Sequence, residues 1–140
     1  QELGVAESDP SLDVEGLDTA AKVLVLANAV LGAQLRPQDV DITGITDITL
    51  ADVKRAAERG RVIKLIGSAV RKDEDEVTAL VEPVELEDNH PLARVHETSK
   101  ALYYDTVEMG PFMITGGRSD PGGAAAAALK DIINLAREEF

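Results

Sequence analysis

Hydrophobic positions along the chain fall into two periodicities. Residues 20–33, "AAKVLVLANAVLGA", are almost wholly apolar, with polar side chains only at Lys22 and Asn28. A run this apolar predicts a buried helix, with Asp13 placed to cap its approach and Gly32 just beyond its last apolar turn. A shorter helix follows in "TLADVKRAAERG", with Thr49 as its cap, Asp52 three residues on as a capping-box partner, and Gly60 as its stop. The pattern then shifts towards alternation. "RVIKLIGSAVRK" and "EVTALVEPVEL", rich in Val, Ile and Thr and separated by "DEDE", predict an antiparallel hairpin. Pro83 inside its second strand predicts an edge or a bulge. "KALYYDTV" and "PFMITGG" predict a second strand pair around a turn at 108–110. A last helix starts at Asp120 as cap and Pro121 as first residue, and runs through 124–135. Residues 1–12, "LRPQDVDITGITDI" and "DNHPLARV" read as irregular connections. The order helix, helix, four strands, helix predicts an α+β fold. It would have two layers, a mostly antiparallel or mixed sheet of about four strands backed by helices, in one domain over residues 1–140.

Composition narrows the chemistry. The chain has no cysteine, which excludes disulfides and thiolate metal sites and points to a reducing, cytoplasmic setting. A net charge of -12 argues against nucleic acid and anionic membrane surfaces as partners. No apolar run reaches the roughly 18 residues of a membrane span. "QELGVAESDP" lacks the basic and apolar regions of a signal peptide. With no Trp, two Phe and two Tyr, the core must come from Leu, Ile, Val and Ala. The first residue is Gln rather than Met, which suggests a chain that begins inside a longer protein.

The polar residue that breaks the apolar helix is a lysine, four residues after Asp18. That spacing puts acid and base on one helix face with the acid N-terminal, the favourable order. A solvated surface pair is one reading. The other follows from Leu26, Ala29 and Val30 sharing the lysine's face. A partly desolvated lysine beside a carboxylate, where a buried helix opens onto a cleft, suits a group that gives and takes protons. Glu7, Asp9, Asp13 and Glu15 lie just upstream, as solvated surface or as an anionic pocket for an ammonium group. Their spacing does not match a calcium loop, and no metal is expected. "ITGGRSDPGGAAAAALKDI" fits neither G-x-G-x-x-G nor the P-loop, and its alanines suit close helix packing. His90 and His96 read as ordinary loop residues, with no third ligand beside them.

With these residues in view, "GVAESDPSLDVEGLDTAAK" resembles the signature G-Y-x-E-x-D-P-x-x-D-x-x-G-x-D-x-x-x-K of the homoserine dehydrogenase family, in its C-terminal substrate domain. The likeness continues through the apolar helix and "HPLA" to a looser closing segment, and so spans nearly all of the chain. It implies interconversion of L-homoserine and L-aspartate 4-semialdehyde by hydride transfer with NADP or NAD. Lys22 matches the catalytic lysine that moves the proton at the substrate oxygen, and Asp18 the aspartate beside it. Glu7 and Asp13 match carboxylates that hold the substrate, Glu7 at its ammonium group. Gly116, with Gly117, matches the glycines near the nicotinamide cofactor. The family's nucleotide-binding domain and its further active-site lysine would precede this segment, so the chain alone is expected to be inactive. A homodimer is implied, with the strands from 61 to 117 at or near its interface.

Two positions depart from the family pattern. Val5 stands where the family has Tyr, and Arg118, Ser119 and Asp120 stand where it has G-A-G. An acidic Asp120 close to a pyrophosphate would be unfavourable. The altered loop suggests an alternative, a non-catalytic amino-acid-binding or dimerisation module of the same descent. Val5 suggests another, a dehydrogenase for a different small amino or oxo acid.

Overall fold

In the computed structural model, described for residues 9–73, 76–96, 99–116 and 121–138, the apolar run forms α2 (Leu17–Val30). It is preceded by a single turn, α1 (Ser11–Val14). Asp13 lies inside α1 rather than capping α2, a correction to the sequence reading. The cap position of α2 is Gly16, at φ +85°. A carboxylate cap is excluded there because the residue must turn left-handed against the sheet. A Cβ at Gly16 would stand 3.1 Å from Val81 Cγ1 and 3.2 Å from Ile42 Cγ2. The other end follows expectation: Gly32 is left-handed at φ +62°, and the Ala33 N–H bonds back to the Ala27 carbonyl at 3.2 Å. Asn28, the second polar residue of the run, pins the returning chain, since its side chain donates to the Leu35 carbonyl and accepts from the Leu35 N–H.

Two compact units account for the described residues, 9–88 and 89–138. In the first, β1 (Val40–Ile42), β2 (Arg61–Arg71) and β3 (Val77–Glu87) form a sheet in the order β1-β3-β2. The hairpin of β2 and β3 is antiparallel and regular, from Arg61 opposite Glu87 to Arg71 opposite Val77. The strand β1 falls within a segment read as loop. Three residues between Pro37 and Gly44 are too few to show a period, and the strand exists because it pairs in parallel with Ala79, Leu80 and Val81.

Pro83 explains where that pairing stops. Thr43 N–H donates to the Val81 carbonyl at 2.7 Å, so the polar groups of Val81 face β1. Residue 83, two further on, faces the same way. The missing N–H of Pro83 therefore points past the last residue of β1, and β3 is central over its first half and an edge over its second.

The helix α3 (Leu50–Glu58) carries the expected capping box. Asp52 N–H donates to Thr49 Oγ1 at 3.2 Å, and Thr49 N–H donates to Asp52 Oδ2 at 2.9 Å. Hydrogen bonds from the Thr49 hydroxyl and N–H, helped by Arg55, hold the Asp52 carboxyl below the usual carboxylate range. A depressed folded-state pKa contributes stability above the unfolded value, roughly pH 4, that is lost as pH falls through the folded value. Asp52→Asn is therefore expected to lower the melting midpoint at pH 7, with the difference shrinking as pH falls below about 4, which thermal melts by circular dichroism check. Thr49→Ala should cost about 1 kcal/mol.

Aliphatic residues build the core, as the composition requires. Ala20, Val23, Val40, Ala79 and Val81 are buried together, with Leu24, Leu35, Leu65 and Ala69 packed around them. Alternation places Gly67, Leu65, Ala69, Ala79 and Val81 on the sheet face that α2 covers.

The second unit holds a 3₁₀ turn (Pro91–Arg94), the antiparallel pair β4 (Lys100–Thr106) and β5 (Gly110–Gly116), and α4 (Pro121–Glu138). Tyr104 stacks on its cross-strand partner Phe112 at 5.0 Å. His90 is not an idle loop residue: its Nδ1 accepts from the Leu92 N–H, and its ring lies 5.5 Å from Tyr103. The fold is α+β as expected, but among the described residues the strands number five, in a sheet of three and a sheet of two. The alanines at the start of α4, expected in close packing, are exposed in this chain. Asp120, the expected cap of α4, falls outside the described residues.

Candidate active site

The Asp18 and Lys22 side chains form an ion pair along α2. Their place on the helix follows from what holds the opposite side. Ala20, Val23 and Ala27 are buried against the sheet. Residues 18, 22, 25 and 29 lie about 180° round the helix, at 100° per residue. That side is open: Lys22 is 68% exposed, Asp18 45%, and Val25 64%. The expectation of a helix buried all round, with a partly desolvated lysine, is thus corrected for this chain. One sheet covers one face of a single helix, and the other face carries the pair beside an exposed valine. In this state the ion pair is worth a few tenths of a kcal/mol, roughly the 0.3–0.5 of an exposed i,i+4 pair.

Asp13 stands on the single turn α1, exposed and, among the described residues, without a side-chain partner. Gly16 joins that turn to α2, so Asp13 and Asp18 flank the left-handed corner. The corner is seated by Gly44: Ile45 N–H donates to the Val14 carbonyl at 2.8 Å, and a Cβ on Gly44 would strike that carbonyl. Asp9 closes the first turn of α1 by accepting from the Ser11 N–H at 3.0 Å, and hydrogen bonds from Ser11 hold its carboxyl below the ordinary range. Glu7 and Gly117 lie outside the described residues, so only Asp13, Asp18 and Lys22 of the expected substrate-side group can be placed together in the first unit. Gly116 belongs to the second unit, where it ends β5 at φ +147°. Among the described residues nothing stands within 4 Å of where its Cβ would be. Among the described residues no cluster of three or more His, Cys, Asp or Glu is placed to hold a metal ion, and no helix is long and apolar enough to cross a membrane.

Two site-supporting residues were missed in the sequence, Gly44 and Gly67. For Gly67 a signal was present, since an isolated glycine inside a strand pattern marks close approach of another backbone or a ligand.

Comparison with known proteins bears on this arrangement. A family model described as homoserine dehydrogenase matches residues 1–133. The NAD(+)-dependent homoserine dehydrogenase of Pseudomonas canavaninivorans is 38% identical over 135 residues, which are 96% of this chain and 38% of that one. The homoserine dehydrogenase of Bacillus subtilis is 36% identical over 133 residues, 95% of this chain and 30% of that one. Among solved structures, the Staphylococcus aureus homoserine dehydrogenase at pH 6.5 superposes with a TM-score of 0.86 at 34% identity, covering 96% of this chain and 34% of that one. The chain thus spans about a third of the length of the relatives it matches. A family model matching nearly the whole chain, with relatives of this identity and a fold shared at this level, places the chain in the homoserine dehydrogenase family.

Proposed function

We propose that this chain is the substrate and dimerisation domain of a cytoplasmic enzyme that interconverts L-homoserine and L-aspartate 4-semialdehyde, in the biosynthesis of threonine, methionine and isoleucine. The observation that carries the proposal is the Asp18–Lys22 pair, held at the open face of α2 by a helix whose other face is fixed to the sheet. In the oxidising direction the C4 hydride of homoserine leaves with its electron pair, and the hydroxyl proton passes to the Lys22 amine as the carbonyl forms. In the reducing direction the Lys22 ammonium returns that proton. Asp18 keeps the amine oriented through its ion pair. Asp13, with Glu7, holds the substrate's ammonium group. The nicotinamide supplies the hydride acceptor or donor, with NADP and NAD both compatible, and Gly116 and Gly117 would lie along it.

Exposed apolar side chains support an incomplete surface. Val25 and Val30 on α2, and Leu129, Ile132 and Leu135 on α4, are all more than half exposed. A nucleotide-binding domain covering α2 would exclude water from the pair, which an open site cannot do. A second copy, with the strands from 61 to 117 at or near the contact, would complete a homodimer.

The test joins the chain to the nucleotide-binding domain of a relative and assays L-homoserine, L-threonine, L-serine and 4-hydroxybutyrate with NAD and NADP. Turnover with L-homoserine alone is expected, and none from the 140-residue chain by itself. Faster turnover of another substrate would transfer the assignment to a related dehydrogenase, the reading that Val5 favours. Homoserine binding without turnover would leave a binding module.

A further inference from the structure

We infer that Gly67 is a positioning residue for the reaction, setting how deeply α2 sits on the sheet and hence where Asp18 and Lys22 stand. This rests on the assignment of that pair as the proton-transfer site. In the middle of β2, opposite fully buried Val81, Gly67 lies under α2. A Cβ there would overlap Val23 Cγ2 and stand 2.8 Å from Thr19 Cγ2. These two side chains belong to the residues that directly follow Lys22 and Asp18. Both are β-branched and on a helix, where Val keeps essentially one χ1 rotamer and Thr two. Relief by rotation is therefore poor, and a methyl group at 67 must lift the helix. The lift would carry the ion pair with it.

The expected consequence is loss of rate rather than loss of fold. A misplacement of about 1 Å from a distant substitution can cost about 100-fold in rate. In the protein carrying the nucleotide-binding domain, Gly67→Ala is expected to lower kcat by about tenfold or more per folded molecule while changing homoserine KM less. Val23→Ala removes the methyl that a Cβ at 67 would strike. The Gly67→Ala/Val23→Ala pair should therefore recover part of that kcat, the contact with Thr19 Cγ2 remaining, although Val23→Ala alone leaves a cavity. A residue important only for stability would give a double variant less stable than either single one and no more active. Should Gly67→Ala alone not fold, Gly67→Val in the Val23→Ala background restores the conflict and should lower kcat again. Full kcat in Gly67→Ala, with Lys22→Ala inactive in parallel, would overturn the inference and leave the assignment of the pair standing. Full activity of Lys22→Ala would overturn both.

Discussion

Lys22→Ala is expected to lower homoserine oxidation by at least about 100-fold when the chain is joined to a nucleotide-binding domain, since positioned acid–base groups contribute about 10² to 10⁴. Substrate binding should suffer less, because Asp13 and Glu7 are assigned to hold it. The fold should not change. Lys22 is 68% exposed, and its ion pair lies on the face of α2 away from the sheet, so truncation leaves no cavity and no buried orphan. Lys22→Arg should not restore the rate. A guanidinium keeps its proton at any working pH and cannot act as the base. Asp18→Asn should retain more activity than Lys22→Ala, because the amine that carries the proton remains. Initial rates of the three variants separate these cases.

The largest effect on stability is expected at Gly44, a residue with no place in the chemistry. A Cβ there would lie 2.5 Å from the Val14 carbonyl oxygen and 2.8 Å from Glu15 Cα. Both are backbone atoms, so no side-chain rotation relieves the contact. Gly44→Ala must break the Ile45–Val14 hydrogen bond or push the α1–α2 corner off the sheet. Overpacking of this kind costs about 1–3 kcal/mol. At the upper end that is about 10 °C or more in the melting midpoint of an 80-residue unit. Gly32→Ala is the control for glycine loss at positive φ without steric conflict. Among the described residues nothing stands within 4 Å of its Cβ position, and its cost should be limited to the left-handed backbone, about 1–2 kcal/mol. Thermal melts of the 140-residue chain compare the two.

Local chemistry makes several elements readable from the sequence. Thr49, Asp52 and Gly60 announce α3 because capping acts within one turn, and the hairpin of β2 and β3 announces itself by composition on both sides of a charged turn. What could not be read depends on partners distant in sequence. β1 is three residues long and exists only through Ala79, Leu80 and Val81. The division into two sheets is likewise a matter of which strands meet, to which periodicity is blind. The pair at Asp18 and Lys22 was legible from spacing and from the family signature, but its surroundings were not. An apolar run has no label saying which faces its own sheet will cover, and here Val25 and Lys22 share the uncovered one. Asp13 failed as a cap for a similar reason, because the chain needs a left-handed Gly16 against Val81 before α2 can begin.

The central claim is that the Lys22 amine carries the proton. It is tested most directly by measuring homoserine-dependent NAD(P) reduction in Lys22→Ala, in the protein joined to a nucleotide-binding domain, with and without a small primary amine such as ethylamine. The account predicts a rate about a hundredth of the parent's or less without amine, rising with the concentration of unprotonated amine. A Lys22→Ala protein that turns over homoserine at the parent rate with no amine added would contradict it.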